Sequence, residues 1–373
     1  MPDPGFLPSI KISVRTDDNI LREGENPMSD VMKTAAPDLK LFMLSGKHAL
    51  MAGYEGNWTS YDSNPRESYL DHTAKAELKL DLGMPYKLNI LSGYSQSHEY
   101  RGYPGSRRAG DTGADRFTEY SAGAEFTMGE RENPVQVYLL ARGQDRAYTN
   151  NDQGIRDRRS TSLNLSFYLN AGPRTRVFLG GQSLATEYKS AEIYIYENFK
   201  NTPIPNLDSV DEYLFAGVQW EFSGLMEGTF RGGYSRKRMQ SAQYQGYSGA
   251  ALEFKLRWTP SERSAFVFQL GRRTAESNEI GASFILVNQG GVRFERELSA
   301  RLSMSATLEH EMDSYTGIGR DDRYTFGRVE LIYDALHWLK ASAEYRSENR
   351  KSSEKGLDYK SNMFALVLTA EGI

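Results

Sequence analysis

The chain contains no cysteine in 373 residues. That excludes a disulfide framework, thiolate metal sites and a cysteine nucleophile. It suits a chain that crosses an oxidising compartment, where free thiols cross-link. Long apolar runs are absent as well. The longest, near residues 135–141 and 363–368, fall far short of the ~18 residues a spanning helix needs. No single sign of charge dominates: 45 Lys and Arg against 49 Asp and Glu leave a net charge of −4. Strong non-specific binding to nucleic acid is therefore not expected. A secretion signal is not visible, because Met1-Pro2-Asp3-Pro4 has neither a charged n-region nor an apolar h-region. The pattern described next favours a mature exported chain with a restored start methionine over a chain that is never exported.

None of these absences excludes a transmembrane β-barrel. A barrel hides its lipid-facing residues by alternation, so a mean hydropathy of −0.60 is compatible with one. Length and the 39% hydrophobic and 25% charged fractions alone would fit a soluble two-domain protein. Period-2 alternation along nearly the whole chain argues otherwise. Leu252, Phe254, Leu256 and Trp258 share one face, and Glu253, Lys255 and Arg257 share the other. On a helix these positions would scatter around the axis; on a strand they make one oily and one ionic face. Ala74 to Leu82, Leu163 to Leu169, Ala300 to Leu308 and Leu339 to Tyr345 repeat the pattern.

About 18 such segments fit the strand template. Short connections rich in turn residues, such as Ser45-Gly46, Gly172-Pro173 and Pro260-Ser261, alternate with longer polar ones, including residues 17–37, 99–116, 188–211 and 312–322. That alternation implies antiparallel neighbours, with tight turns on one rim and long loops on the other. The expected fold is all-β: one antiparallel transmembrane β-barrel of about 18 strands, with long extracellular loops and short periplasmic turns. Residues 1–373 form its single domain, with 1–7 as an N-terminal extension. A soluble two-sheet sandwich would have to turn its many ionic faces outward on both sides. Tyr54, Trp58, Tyr86, Tyr94, Tyr120, Trp220, Tyr234, Trp258, Tyr333, Trp338 and Tyr345 fall mostly near strand ends, where they would form interfacial girdles.

A barrel of this size leaves a wet lumen unless a loop fills it. The ionic parity assigns Lys75, Lys79, Arg142, Arg146, Arg231, Lys255, Arg257 and Arg301 to the pore lining. Arg328, Lys340 and Arg346 join them, interleaved with Glu221, Glu253, Glu330 and Glu344. Many of these should pair across strands. An excess of Arg and Lys would also attract an anionic polymer. The segment 191–210 is the longest late loop; its Tyr194, Tyr196, Phe199 and Asp208 offer a constriction or a cap over the mouth. Residues 101–116 form a second, glycine-rich loop with several arginines.

Enzyme and metal signals are weak. Ser305 and His310 have opposite parity on one strand and so face apart. The acidic pairs Asp17-Asp18 and Asp321-Asp322 lack the ligand spacing of a calcium loop. No catalytic residue, metal site or cofactor is expected.

The opening Leu7-Pro8-Ser9-Ile10-Lys11-Ile12-Ser13-Val14, with Asp17-Asp18-Asn19-Ile20, resembles the start of a β-barrel porin family found in bacterial exopolysaccharide gene clusters. Ser29-Asp30-Val31, Gly46-Lys47-His48, Tyr54-Glu55-Gly56 and Tyr69-Leu70-Asp71-His72 continue in the same order. The resemblance covers the first fifth of the chain. It implies an outer-membrane barrel that exports a secreted, charged polysaccharide, surrounded by outer-membrane lipid and served by periplasmic polysaccharide-export proteins. A general diffusion porin for small solutes, and a plugged, non-conducting scaffold of a secretion complex, are the alternatives. Family barrels often end in an aromatic residue; this chain ends Ala370-Glu371-Gly372-Ile373.

Overall fold

The computed structural model describes residues 4–102, 113–190, 192–197, 200–222, 224–277 and 279–372. Strands β1 (Gly5–Asp17), β2 (Asp30–Ser45), β3 (His48–Tyr61), β4 (Tyr69–Asp81), β5 (Tyr86–His98), β6 (Arg116–Met128) and β7 (Val135–Tyr148) open the chain. β8 (Arg158–Gly172) and β9 (Thr175–Tyr188) follow, then a separate hairpin of β10 (Glu192–Glu197) and β11 (Lys200–Pro205). β12 (Ser209–Phe222), β13 (Met226–Met239), β14 (Tyr247–Ser261), β15 (Ser264–Ala275) and β16 (Phe284–Ser299) come next. β17 (Leu302–Thr316), β18 (Arg320–Leu336), β19 (Leu339–Ser352) and β20 (Tyr359–Glu371) complete it.

Without the hairpin, the strands form one 18-stranded antiparallel sheet in which each pairs with its sequence neighbour. β1 pairs with β20 as well as with β2, so the sheet closes. Closure removes free sheet edges, which a membrane-spanning sheet cannot leave unpaired in lipid. β1 begins at Gly5, opposite Phe42, so residues 5–7 belong to the wall rather than to an extension.

The alternation sets what each face meets. On β17, Leu302, Met304, Ala306 and Leu308 point out to lipid, while Ser303, Ser305, Thr307 and Glu309 point in. Leu308 is 56% exposed, as a side chain meant for acyl chains should be. Arginine at Leu308 should cost about 2–4 kcal/mol of barrel stability, the range for a cation at the bilayer midplane. Arginine at Ser303, which faces inward opposite Glu297, should leave stability little changed. Urea unfolding of the two variants in lipid vesicles separates them, and equal losses would mean that the two faces are misassigned.

The outward aromatics gather at two levels. Trp58, Tyr94, Tyr120, Tyr234 and Tyr345 lie toward the long-loop rim, and Tyr86, Trp220, Trp258, Tyr333 and Trp338 toward the short-turn rim. Tyr94 and Tyr120 touch across β5 and β6, with ring centroids 5.1 Å apart.

The strands run further above the lipid than hydropathy indicates. Residues 312–322 read as a loop, yet β17 and β18 occupy most of them and leave a turn at residues 317–319. β2 likewise starts at Asp30, inside the stretch expected to be a loop. Above the bilayer both faces are polar, so the alternation in hydropathy disappears while backbone pairing continues.

Candidate functional site

The functional surface of a barrel is its inner wall, and strand parity decides who is on it. Of the residues assigned to the lining by sequence, Lys75, Lys79, Arg142, Arg146, Glu221, Arg231, Glu253 and Lys255 have inward parity. Arg257, Arg328, Glu330, Lys340, Glu344 and Arg346 do too. Arg301 does not belong with them. It sits in the two-residue turn between β16 and β17, exposed at the short-turn rim. Alternation carried the strand one turn too far there, because a tight turn preserves the apparent parity of its neighbours.

Most wall cations are paired. Arg231 reaches Glu253 at 2.6 Å, and Lys255 reaches the same carboxylate at 2.8 Å. Arg257 contacts Glu295 at 3.2 Å, and Arg328 bridges Glu330 and Glu344 at 3.0 and 2.9 Å. Arg146 meets Glu119 at 2.7 Å, while Lys79 meets Glu77 at 3.6 Å. Nearer the short-turn rim, Lys340 holds Glu371 at 2.8 Å and Glu221 is 3.6 Å from Arg131. Arg346 pairs with Glu348. These pairs stiffen a wetted wall more than they stabilise it, since exposed ion pairs contribute little each.

The long-loop half is built differently. Residues 18–29 fold inward, where Arg22 binds Asp17 and Glu348, each at 2.8 Å. Burial opposes the Arg22 charge, but Glu348 and Asp17 outweigh it and hold the guanidinium above its usual range. The loop after β5 also turns in. Its Arg101 grips Glu67 at 2.9 Å. Gly102, at φ +75°, lies so close that a Cβ would be 2.7 Å from Arg22 and 2.9 Å from the Tyr359 hydroxyl. Only glycine combines that backbone angle with that approach.

One buried arginine clamps both feet of this loop. Arg156, in the 3-10 turn Gln153–Arg156, bonds Asp115 at 3.1 Å and also Glu99. It donates to the Tyr148 hydroxyl at 2.8 Å and stacks on that ring at 4.2 Å. Glu99 follows β5 and Asp115 precedes β6, so one side chain fixes where the loop leaves the wall and where it returns. Tyr100 borders the lumen and meets the His98 ring edge-on at 4.6 Å.

The inner wall carries several adjoining recesses. A cavity of about 940 Å³ runs from Tyr100, past Lys11, Asp38, Glu55 and Asp71, to His337 and Glu371 at the short-turn rim. A second, of about 620 Å³, is lined by Lys75, Glu77, Ser121 and Arg142 beside Phe42, Met51 and Leu91. Across the lumen, a cavity of about 350 Å³ combines Tyr138, Tyr168, Phe178 and Phe215 with Arg231 and Asn164. Here Arg231 lies 5.0 Å over Phe215, and Arg176 lies 4.5 Å over Tyr168.

The segment 191–210 is the one expected to form a constriction or a cap. Most of it is the β10–β11 hairpin, which carries Tyr194 and Tyr196 on β10, while Phe199 lies outside the described residues. Asp208 is a tether at the rim. Its carboxylate accepts the Tyr188 amide at 2.6 Å, and its carbonyl accepts the Gln240 amide at 2.8 Å. The described part of the loop after β5, Glu99 to Gly102, packs on Glu67 and Arg22. Its glycine content was visible in the sequence, but its clamp was not, since Arg156 sits in another loop.

Residues 6–371 match the family described as "Putative beta-barrel porin 2". No curated protein matches the chain. Among solved structures it is similar to Pseudomonas aeruginosa OccK2 (OpdF), at 9% identity and a TM-score of 0.54, over 99% of this chain and 97% of that one. It is similar to Pseudomonas aeruginosa OpdK with vanillate at 9% identity and 0.55, over 98% and 99%. Pseudomonas aeruginosa OccK2 in complex with glucuronate gives 10% and 0.55, over 100% and 99%. At such identities these likenesses bear on the fold, and the family match bears on the class. The chain belongs to this family of β-barrel porins: it is an outer-membrane channel protein and not an enzyme.

Proposed function

We propose that the chain is a selective channel for small polar and charged solutes. The observation that carries this reading is the polar and charged inner wall, whose adjoining recesses measure about 330 to 940 Å³. Spaces of that size suit small molecules. The similar structures titled with vanillate and glucuronate hold small organic acids, which accords with it. Swelling of proteoliposomes in isosmotic sugars tests it. Monosaccharides should enter quickly and uptake should fall steeply with oligosaccharide length. Equal entry of long oligosaccharides would defeat the reading.

Export of a charged exopolysaccharide, with periplasmic export proteins as partners, is the second reading, drawn from the family resemblance. The inward bank of Tyr168, Phe178, Tyr213 and Phe215 favours it, since ring faces can stack on successive sugars. Current block by an acidic oligosaccharide but not by monosaccharides would move the balance toward it.

A further inference from the structure

We propose that Lys75, Ser121 and Arg142 form a carboxylate-binding site in the lumen, one that takes a small organic acid with an apolar body. The proposal rests on the solute-channel reading and names a substrate class for it.

The site is built across four adjacent strands. Lys75 on β4 stands opposite Gly93 on β5, and Gly93 stands opposite Ser121 on β6. A Cβ on Gly93 would lie 2.8 Å from Ser121 Oγ and 3.9 Å from Lys75 Cγ. The two side chains therefore lean over the same bare backbone from opposite sides. Arg142 on β7 completes the row by donating from its guanidinium to Ser121 Oγ at 3.4 Å. On the far side of Lys75 the opposing residue is another glycine, Gly53. A side chain at Gly93 would occupy the space between Lys75 and Ser121, and glycine leaves it open.

Charge pairing leaves both cations of this site open. Within this cavity Glu77 faces Lys79, Glu119 faces Arg146, and Lys40 faces Asp38 at 2.7 Å. Among the described residues, no carboxylate lies in ion-pair reach of Lys75 or Arg142, and both are exposed to the lumen. Arg231, Arg257, Arg328 and Arg346 on the same wall each have one. The local surplus is thus two positive charges, converging on one hydroxyl.

The apolar part lies one step nearer the short-turn rim. Leu91 is two residues below Gly93, Met51 is two below Gly53, and Phe42 stands opposite Met51, all on the inner face. A carboxylate accepting from Lys75, Ser121 and Arg142 would gain charge-assisted hydrogen bonds. Its body would then cover Phe42, Met51 and Leu91. Chloride or phosphate would gain the first contacts but not the second.

Benzoate is the probe. Saturation-transfer NMR and calorimetry on the folded barrel in detergent should show benzoate binding, with acetate and phosphate weaker. Lys75→Gln with Arg142→Gln should weaken it at least about tenfold, the scale of losing charge-assisted bonds. Lys33→Gln with Arg238→Gln removes equal charge from the outer surface and should change nothing. Lys75→Arg with Arg142→Lys keeps the charge and should retain most binding, which separates loss of the site from misfolding. No benzoate binding, or equal binding by the Gln pair, overturns the site. Bilayer conductance of the same protein keeps the two claims apart. A conducting barrel that ignores benzoate loses the site and keeps the channel; a silent barrel that binds benzoate through these residues does the reverse.

Discussion

Asp322→Ala should lower the unfolding free energy of the barrel by about 3–5 kcal/mol, the cost of stripping a buried charge of its partner. Asp322 is fully buried on the inner face of β18. Its Oδ2 accepts from Arg320 at 2.7 Å and from Arg350 at 2.6 Å. Arg320 also reaches Glu279 at 2.6 Å and stacks on Tyr315 at 4.2 Å. Removing the carboxylate leaves Arg350 without its carboxylate partner and Arg320 with Glu279, two buried cations side by side. The neighbour across the ladder should behave in the opposite way. Asp313 pairs directly with Asp322 in register, and neither of its oxygens has a hydrogen-bond partner. Like charges placed opposite one another destabilise a sheet. Asp313→Asn should therefore leave stability unchanged or raise it. Urea titration in vesicles, followed by tryptophan emission, reads both; a small effect at Asp322 would mean that Asp313 takes over its role.

Arg156→Ala should raise single-channel conductance severalfold and make the open current noisier. The substitution removes the cation that Glu99 and Asp115 share, and leaves those carboxylates partly buried and repelling each other. The feet keep other bonds, from Tyr148 to Glu99, from the Glu99 amide to the Asp115 carbonyl and from Asn151 to Asp115, and Arg101 still holds Glu67. Planar-bilayer recording checks this. Wild-type conductance in the variant would show that the other bonds at Glu99 and Asp115 are enough to hold the loop.

The sequence reads well wherever lipid enforces a contrast. In Leu252 to Trp258 or Leu302 to Leu308 every second residue must be oily, so strand, face and membrane could all be inferred. It reads poorly where that contrast ends. Asp313, Tyr315, Arg320 and Asp322 belong to a paired, ordered wall, but polar residues on both faces look like a loop. The lining had the same asymmetry. Lys75, Arg142 and Arg328 announce themselves by charge and parity. Gly93 and Ser121 carry no signal of their own, because their contribution is the room they leave and a hydroxyl between two cations. Arg156 was hidden for another reason: its partners come from a different loop, and only three-dimensional folding brings Glu99 and Asp115 to it.

The seam between β1 and β20 has a consequence in time. It joins residues 9–17 to residues 363–371, so the first strand waits for the last before its second edge is covered. Contacts so distant along a chain form late, because a long loop must close first. Until then β1 and β19 are both open templates for a stray strand. A nascent barrel of this kind is most vulnerable to aggregation just before its final thirteen-residue strand docks, and a chaperone that shields the β1 edge would protect it more than one that shields any other.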